Sequence, residues 1–126
     1  MLTVTTIEKL DRVIHERARL GIMTLLAATE SLSFKELKEQ LQMTDGNLSV
    51  HMRTLEESGY VTVHKSFVNR KPRTEYSLTL VGRHAFDAYI QTLKEIVEQA
   101  QPAEEPQHAG AREVRPVLQK GMAPAK

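Results

Sequence analysis

Apolar side chains recur every three or four residues through the first 30 positions, which predicts amphipathic helices. The first predicted helix begins at a Thr-Thr-Ile-Glu capping sequence and carries Ile7, Leu10 and Ile14 on one face. It continues, or bends near residues 15–16, into a second segment over 17–29. The apolar positions of that segment again fall on one side, so both segments are expected to face a common core.

Two capping signals mark the next helices. A Ser-Phe-Lys-Glu sequence begins a short helix over 33–42. After a connection of a few residues, Thr44 or Asp45 caps a helix that runs to Ser58, with Gly59 at a position that suits a helix end. This is the third helix of the predicted order.

The period of the pattern then changes to two, which indicates strands. Val61 and Val63 alternate with polar residues on one strand, and Thr74, Tyr76 and Leu78 alternate on a second. An Asn-Arg-Lys-Pro sequence between them contains turn residues. The two strands are therefore expected to pair as a hairpin with a basic tip.

A long helix follows the hairpin. Thr79 caps it, and Phe86, Ile90, Leu93 and Val97 form an apolar stripe at spacings of four, three and four residues. The last 26 residues contain four of the five prolines and few large apolar groups. A segment of this composition is expected to be disordered.

The order of three helices, a hairpin and a long helix predicts an α+β fold, mostly α, with a helix-turn-helix and an attached wing. We place one domain, with N-terminal and long C-terminal dimerisation helices, at residues 1–100 and the tail at 101–126. A chain of 126 residues, 40% of them hydrophobic, suffices for one small core. It shows no membrane-spanning stretch or export signal, so we expect a cytoplasmic protein without a membrane partner.

Positive charge is concentrated in one stretch, although the net charge is only +1. Residues 64–83 contain five basic residues and one acidic residue. Several cations at one hairpin tip repel each other, so a polyanionic partner explains them better than packing does. The residues expected to bind phosphates or the minor groove are Lys65, Arg70, Lys71 and Arg73.

The third helix has two distinct faces at 100° per residue. Leu48, Met52 and Leu55 point into the predicted core. The opposite face carries short polar groups, which suit a major groove where Asn pairs with adenine and Arg with guanine or phosphate. A glycine near the N-terminus would let the backbone approach a phosphate. The candidate DNA contacts of this segment are Thr44, Gly46, Asn47, Ser49, Val50, Arg53 and Thr54.

Several motifs occur in the order of a known family. They include SFKEL at 33–37, TDGNLSVHM at 44–52, LEESGYV at 55–61 and TEYSLTLVGR at 74–83. The stretch over 20–93 resembles the single-domain winged-helix transcriptional regulators related to the ArsR and MarR groups. The resemblance implies a homodimeric repressor or activator that binds double-stranded DNA in a prokaryotic cytoplasm. The resemblance assigns the recognition of the DNA sequence to Asn47, Ser49, Val50 and Arg53. It assigns the DNA contacts of the wing to Arg70, Lys71 and Arg73.

The resemblance identifies neither a sensor nor an effector. Members with thiolate sensors use cysteine pairs, and this chain has no cysteine. His84 and Asp87 are spaced like two metal ligands, but two ligands recur by chance, so we expect no metal and no other cofactor. No Gly-rich phosphate loop or nucleophile elbow is evident in the sequence. We therefore expect a regulator rather than an enzyme.

Spare apolar faces at both ends of the domain predict a homodimer. The last helix spans about 30 Å at 1.5 Å per residue, which is longer than a small winged domain needs. Its stripe is expected to pair across a two-fold axis beside the N-terminal helix, although it could instead pack on its own domain. The predicted interface residues are Ile7, Leu10, Ile14, Phe86, Ile90, Leu93 and Val97.

Two functions are consistent with these patterns. The first is a homodimeric, sequence-specific DNA-binding transcriptional regulator, most simply a repressor, with the third helix in the major groove and the wing on phosphates or in the minor groove. The second is a winged-helix protein-interaction module without specific DNA binding. Salt sensitivity and competition by duplex DNA distinguish the two.

Overall fold

The computed structural model describes residues 4–102, which contain five helices and three strands. In chain order these are α1 (Val4–Glu8), α2 (Arg17–Ala27), β1 (Leu32–Ser33), α3 (Phe34–Leu41), α4 (Asp45–Glu57), β2 (Val61–Val68), β3 (Lys71–Leu78) and α5 (Leu80–Gln99). The third helix of the sequence prediction is α4. The predicted winged-helix class, mostly helical with a small antiparallel sheet, is confirmed. Apart from its first two residues, the predicted tail lies outside the described residues.

The first predicted helix is wrong beyond Glu8, where α1 ends. The Asp11 carboxylate accepts hydrogen bonds from the backbone N–H groups of Val13, at 2.8 Å, and Ile14, at 3.1 Å. A side chain that binds nearby N–H groups in this way competes with helical hydrogen bonding and favours a turn. The helix resumes only at α2, where Glu16 is the N-cap and accepts from the third helical N–H at 2.8 Å.

The capping signals of α3 and α4 are confirmed. Ser33 accepts a hydrogen bond from the Glu36 N–H at 3.0 Å, and the Glu36 carboxylate accepts one from the Ser33 N–H at 2.8 Å. Thr44 caps α4 by accepting from the Asn47 N–H at 3.2 Å. Gly59 follows the end of α4 with a φ of 79°, a left-handed conformation that glycine adopts without a steric cost.

The three strands form an antiparallel sheet in the order β1-β3-β2. The two residues of β1 were not predicted as a strand, because so short a segment has no detectable period. β2 and β3 pair over eight residues each, from Val61–Leu78 at the base to Val68–Lys71 at the tip. The predicted strands stopped short of this tip, so the hairpin, which we call the wing, is longer than expected.

The core is enclosed by the helices and the base of the sheet. Its fully buried side chains are Ile14, Ile22, Met23, Leu26, Leu37, Leu48, Met52, Leu55 and Tyr89. The predicted inward face of α4 is therefore confirmed. On α5 the buried positions are Gly82, Tyr89 and Thr92, so the side that faces the core is offset from the predicted stripe.

The terminal segments are more deeply engaged in their own domain than the sequence suggested. Leu10 is 9% exposed and Ile14 is fully buried, so the expectation that both belong to a spare apolar face is wrong. The Asp11 turn folds them inward, where they join the core of their own chain. Val97 and Ile7 remain 57% and 45% exposed.

Candidate nucleic-acid interface

α4 presents a polar face to solvent opposite its buried row. An ion pair of 2.9 Å between Lys38 Nζ and Asp45 Oδ1 fastens α3 to the first turn of α4. The exposed predicted contacts on α4 are Gly46, Asn47, Ser49, Val50 and Arg53. Thr54 is only half-exposed, and its hydroxyl donates to the Val50 carbonyl at 3.2 Å, so that hydroxyl is already bonded within the helix.

The polar side chains of this face are available to a ligand. Within the described part of the chain, the Asn47 amide, the Ser49 hydroxyl and the Arg53 guanidinium take no hydrogen-bond or ion-pair partner. An amide and a guanidinium are the side chains that read adenine and guanine edges in a major groove. α4 therefore has the chemistry that sequence reading requires.

The wing ends in a two-residue turn at Asn69 and Arg70. Their φ values are 52° and 67°, so both residues are left-handed, as a type I′ hairpin turn requires. The strands are paired up to Val68 and Lys71, the residues that flank the turn. The tip is consequently a continuation of the paired ladder rather than a loose loop.

The four predicted cations of the wing fall into two groups. Lys65, Arg70 and Lys71 are exposed, and none forms an ion pair with another residue of the described range 4–102. Arg73 is half-buried between two carboxylates, with Nε 3.0 Å from Glu75 Oε2 and a terminal nitrogen 3.8 Å from Glu36 Oε1. Its charge is compensated within the chain, and the contact with Glu36 ties the wing to α3.

A polar cluster that the sequence analysis missed connects α2 to α4. Arg19 places a terminal nitrogen 3.1 Å from His51 Nδ1 and donates through Nε to the Val13 carbonyl at 2.6 Å. Glu16 Oε1 lies 3.7 Å from the same histidine nitrogen. Burial raises the pKa of Glu16, but hydrogen bonds from the backbone N–H groups of Arg19 and Ala18, with the nearby positive charges, hold it below its usual value. These contacts orient α4, and no sequence period signals them.

The segment between α1 and α2 also contacts elements on two other sides of the domain. The Tyr60 hydroxyl, just beyond α4, donates to the Asp11 carboxylate. Burial and this hydrogen bond raise the pKa of Tyr60 to about 12. His15 Nδ1 lies 2.6 Å from the Tyr89 hydroxyl of α5. The segment between α1 and α2 therefore links α5 to Tyr60, the residue that follows α4 and Gly59.

The comparisons with known proteins agree with this geometry. The winged helix DNA-binding domain family matches residues 18–97 of the chain. The chain belongs to that family. An uncharacterized protein of Methanocaldococcus jannaschii is 39% identical over 79 residues, which cover 63% of this chain and 86% of that protein.

Solved structures extend the likeness of this winged-helix domain to transcriptional regulators. A transcriptional regulator homologue from Pyrococcus horikoshii OT3 is 28% identical with a TM-score of 0.72, over 76% of this chain and 97% of that one. A protein assigned to the MarR family of transcriptional regulators, from Enterococcus faecalis V583, is 27% identical with a TM-score of 0.62, over 79% and 88%. MepR of S. aureus, solved in complex with DNA, shares the fold at 19% identity and a TM-score of 0.62, over 73% and 75%. The chain is thus a winged helix DNA-binding domain protein that is similar in structure to transcriptional regulators, among them one of the MarR family.

The winged-helix domain has a depression of about 740 Å³ where the first turns of α2 and α4 meet. Arg17, Thr44 and Asn47 contribute to its lining. Arg17 is exposed and has no ion-pair partner among the residues described. An exposed guanidinium beside α4 suits a phosphate, so Arg17 is a candidate DNA contact that the sequence analysis did not include. Only the fold brings Arg17 next to α4, so no pattern in the neighbouring sequence indicates this role.

Residues 4–102 hold no group of three His, Cys, Asp or Glu side chains placed to bind a metal ion. His84 and Asp87 are both exposed on α5. No helix in the described part of the chain is long and apolar enough to cross a membrane.

Proposed function

We propose that this protein is a homodimeric, sequence-specific transcriptional repressor, in which α4 enters the major groove and the wing binds phosphates or the minor groove. The observation that carries the proposal is that two surfaces on consecutive elements, α4 and the wing, both have side chains without a partner in the described part of the chain. One is the polar face of α4, and the other is the set of exposed wing cations. The protein then acts where DNA is present, in the cytoplasm of a prokaryotic cell, as a regulator rather than an enzyme.

Each exposed residue of α4 is suited to a different chemical group of the DNA. Asn47 is suited to a bidentate contact with adenine, and Arg53 to guanine or a phosphate. Ser49 can bind base edges or phosphate, and Val50 can contact a thymine methyl group. Gly46 lets the backbone of the first turn approach a phosphate, because a Cβ there would lie on the exposed surface of the helix.

The wing and the α2 N-terminus supply contacts that do not depend on sequence. Lys65, Arg70 and Lys71 are free to neutralise phosphates, and Arg17 approaches the backbone beside α4. Arg73 acts differently, because its carboxylate partners hold the wing against α3. We assign Arg73 a positioning role, with any phosphate contact secondary.

Dimerisation places two α4 helices on successive turns of one DNA face. α5 is about 30 Å long and leaves Val97 exposed, while Ile7 is exposed on α1, which packs beside α5. Phe86, Ile90 and Leu93 are partly buried against their own core and can contribute only their remaining surface. A dimer bound across an operator excludes other proteins from that DNA, which is the basis for proposing a repressor.

Fluorescence anisotropy with the DNA upstream of the protein's own gene and with a scrambled duplex, across a salt series, tests the proposal. The protein is expected to bind one of the two duplexes tightly, and this affinity should fall steeply as the salt concentration rises. The Arg70→Ala, Lys71→Ala double variant should bind all duplexes more weakly and lower the salt slope by about 2. Arg83→Ala on α5 is the control for the loss of one cation away from the wing, because its side chain donates to the Ala27 carbonyl at the C-terminal end of α2, and it should bind like the wild type.

Variants of α4 test sequence reading separately. Asn47→Ala or Arg53→Ala should cost about 1–3 kcal/mol at the preferred duplex and reduce the preference for it. Sequence preference that survives both changes would show that α4 is not the reading helix. Equal, weak binding of the wild type to both duplexes would instead favour the protein-interaction module.

A further inference from the structure

Phe67 is the aromatic side chain that the fold leaves open to solvent. It is 75% exposed, whereas the other two phenylalanines and the three tyrosines of the chain are partly or fully buried. The position lies in β2, paired with Pro72 and one step from the tip of the wing. The wing therefore carries a large apolar group beyond the edge of the core.

The face of β2 that bears Phe67 is the outward continuation of the core face. Side chains two apart on a strand share a face, so Val61, Val63, Lys65 and Phe67 follow one another along it. Val61 is buried at the base, Val63 is half-buried, and Lys65 and Phe67 are exposed. Nothing in the described range of the chain covers this outer half.

The neighbouring side chains of the tip have a different environment. Val68 points to the other face of β2 and lines a depression of about 550 Å³ between the wing and α3, together with Phe34, Lys35 and Lys71. Phe67 does not contribute to that depression. Its ring is thus directed away from the protein, and an external partner is needed to bury it.

The charges around Phe67 indicate what that partner is. Lys65 lies on the same face, and Arg70 lies in the turn at the tip, both without an ion-pair partner in the part of the chain described. A matching surface must be apolar inside and negative at both rims. The minor groove of DNA has this arrangement, with sugar walls between two rows of phosphates.

We propose that Phe67 is a minor-groove contact, whose ring packs between the sugar walls while the wing cations bind the flanking phosphates. The inference rests on the proposed function and adds an apolar contact to it. A ring in the groove favours DNA steps that widen or unstack easily, so Phe67 contributes to specificity through the shape of DNA rather than through base hydrogen bonds.

The test compares Phe67→Ala with Val68→Ala in the full chain, by anisotropy on the preferred duplex across a salt series. Phe67→Ala should lose about ten-fold in affinity, in the range of an aromatic contact to nucleic acid, with an unchanged salt slope because no cation is removed. Val68→Ala removes a neighbouring apolar side chain from the opposite face and should bind like the wild type. Circular dichroism confirms that both exposed substitutions leave the fold intact.

A photoreactive benzophenone side chain in place of Phe67 identifies the partner directly. Irradiation of the DNA complex should join position 67 to a DNA strand. Wild-type affinity of Phe67→Ala, or cross-linking of position 67 to a second protein chain alone, would overturn the inference while leaving the proposed function in place. Failure of the wild type to bind any duplex would mean instead that the proposed function, and this inference with it, is wrong.

Discussion

The substitution Gly82→Ala tests how the start of α5 is seated on the rest of the domain. Gly82 is buried in the first turn of α5, beside the backbone of Tyr60. A Cβ added there would lie 2.1 Å from the Tyr60 carbonyl oxygen and 2.8 Å from its carbonyl carbon. Ordinary contact between such atoms is ~3.5 Å, so α5 and the Tyr60 carbonyl oxygen would have to separate by more than ~1 Å.

The energetic cost follows from what this contact holds together. The same Tyr60 carbonyl accepts the Thr79 N–H at 3.0 Å, and the Thr79 hydroxyl donates to the Gly59 carbonyl at 2.6 Å. Overpacking costs about 1–3 kcal/mol, and a weakened hydrogen bond costs about 1 kcal/mol more. Alanine returns about 0.5–1 kcal/mol through its helix propensity. We therefore expect a net loss of about 1–3 kcal/mol in the free energy of unfolding.

Urea denaturation followed by far-UV circular dichroism, at one fixed protein concentration, measures this loss. Gly46→Ala is the matched control, because a Cβ at this exposed helical position meets no atom within 4 Å. That variant should be as stable as the wild type or more stable by up to about 1 kcal/mol. If Gly82→Ala unfolds at the same urea concentration as the wild type, the close packing of α5 on Tyr60 is refuted.

Three further outcomes are expected from the same geometry. Gly46→Ala should bind the preferred duplex more weakly in anisotropy titrations although it is at least as stable as the wild type, because its methyl group keeps the helix backbone away from a phosphate. An affinity equal to that of the wild type would show that Gly46 is not part of the interface. Val97→Glu should give a folded monomer by sedimentation velocity, since Val97 is 57% exposed, and an unchanged mass would place the dimer contact elsewhere. The Ser33 backbone hydrogen bond, with the charge of Arg73, lowers the pKa of Glu36 below its usual 4.5 although burial opposes it. A lowered pKa stabilises the folded state above pH 4.5, and this effect is lost as the pH falls through the folded-state value. The stability difference between the wild type and Glu36→Gln should therefore become smaller in acid, and a difference independent of pH in urea denaturation would contradict this.

Much of the fold and half of the candidate site could be predicted from short-range patterns. The Ser33 and Thr44 caps act within three residues, and the buried row of α4 repeats at the helical period, so both were correct. The turn sequence at 69–72 correctly predicted a hairpin with a basic tip. Each of these features depends on atoms that are close together in the chain, which is why the sequence alone was sufficient to determine them.

The tertiary structure decided what each predicted side chain contacts. Ile14 shows the same apolar signal as any helical stripe, but the Asp11 turn carries it into the core. Arg73 is as basic as its neighbours, but α3 and β3 bring two carboxylates to it. Phe67 is typical of a strand interior, but the wing extends past the last element that could cover it. Burial and charge compensation depend on the element that lies opposite a residue, and a one-dimensional period contains no information about that neighbour.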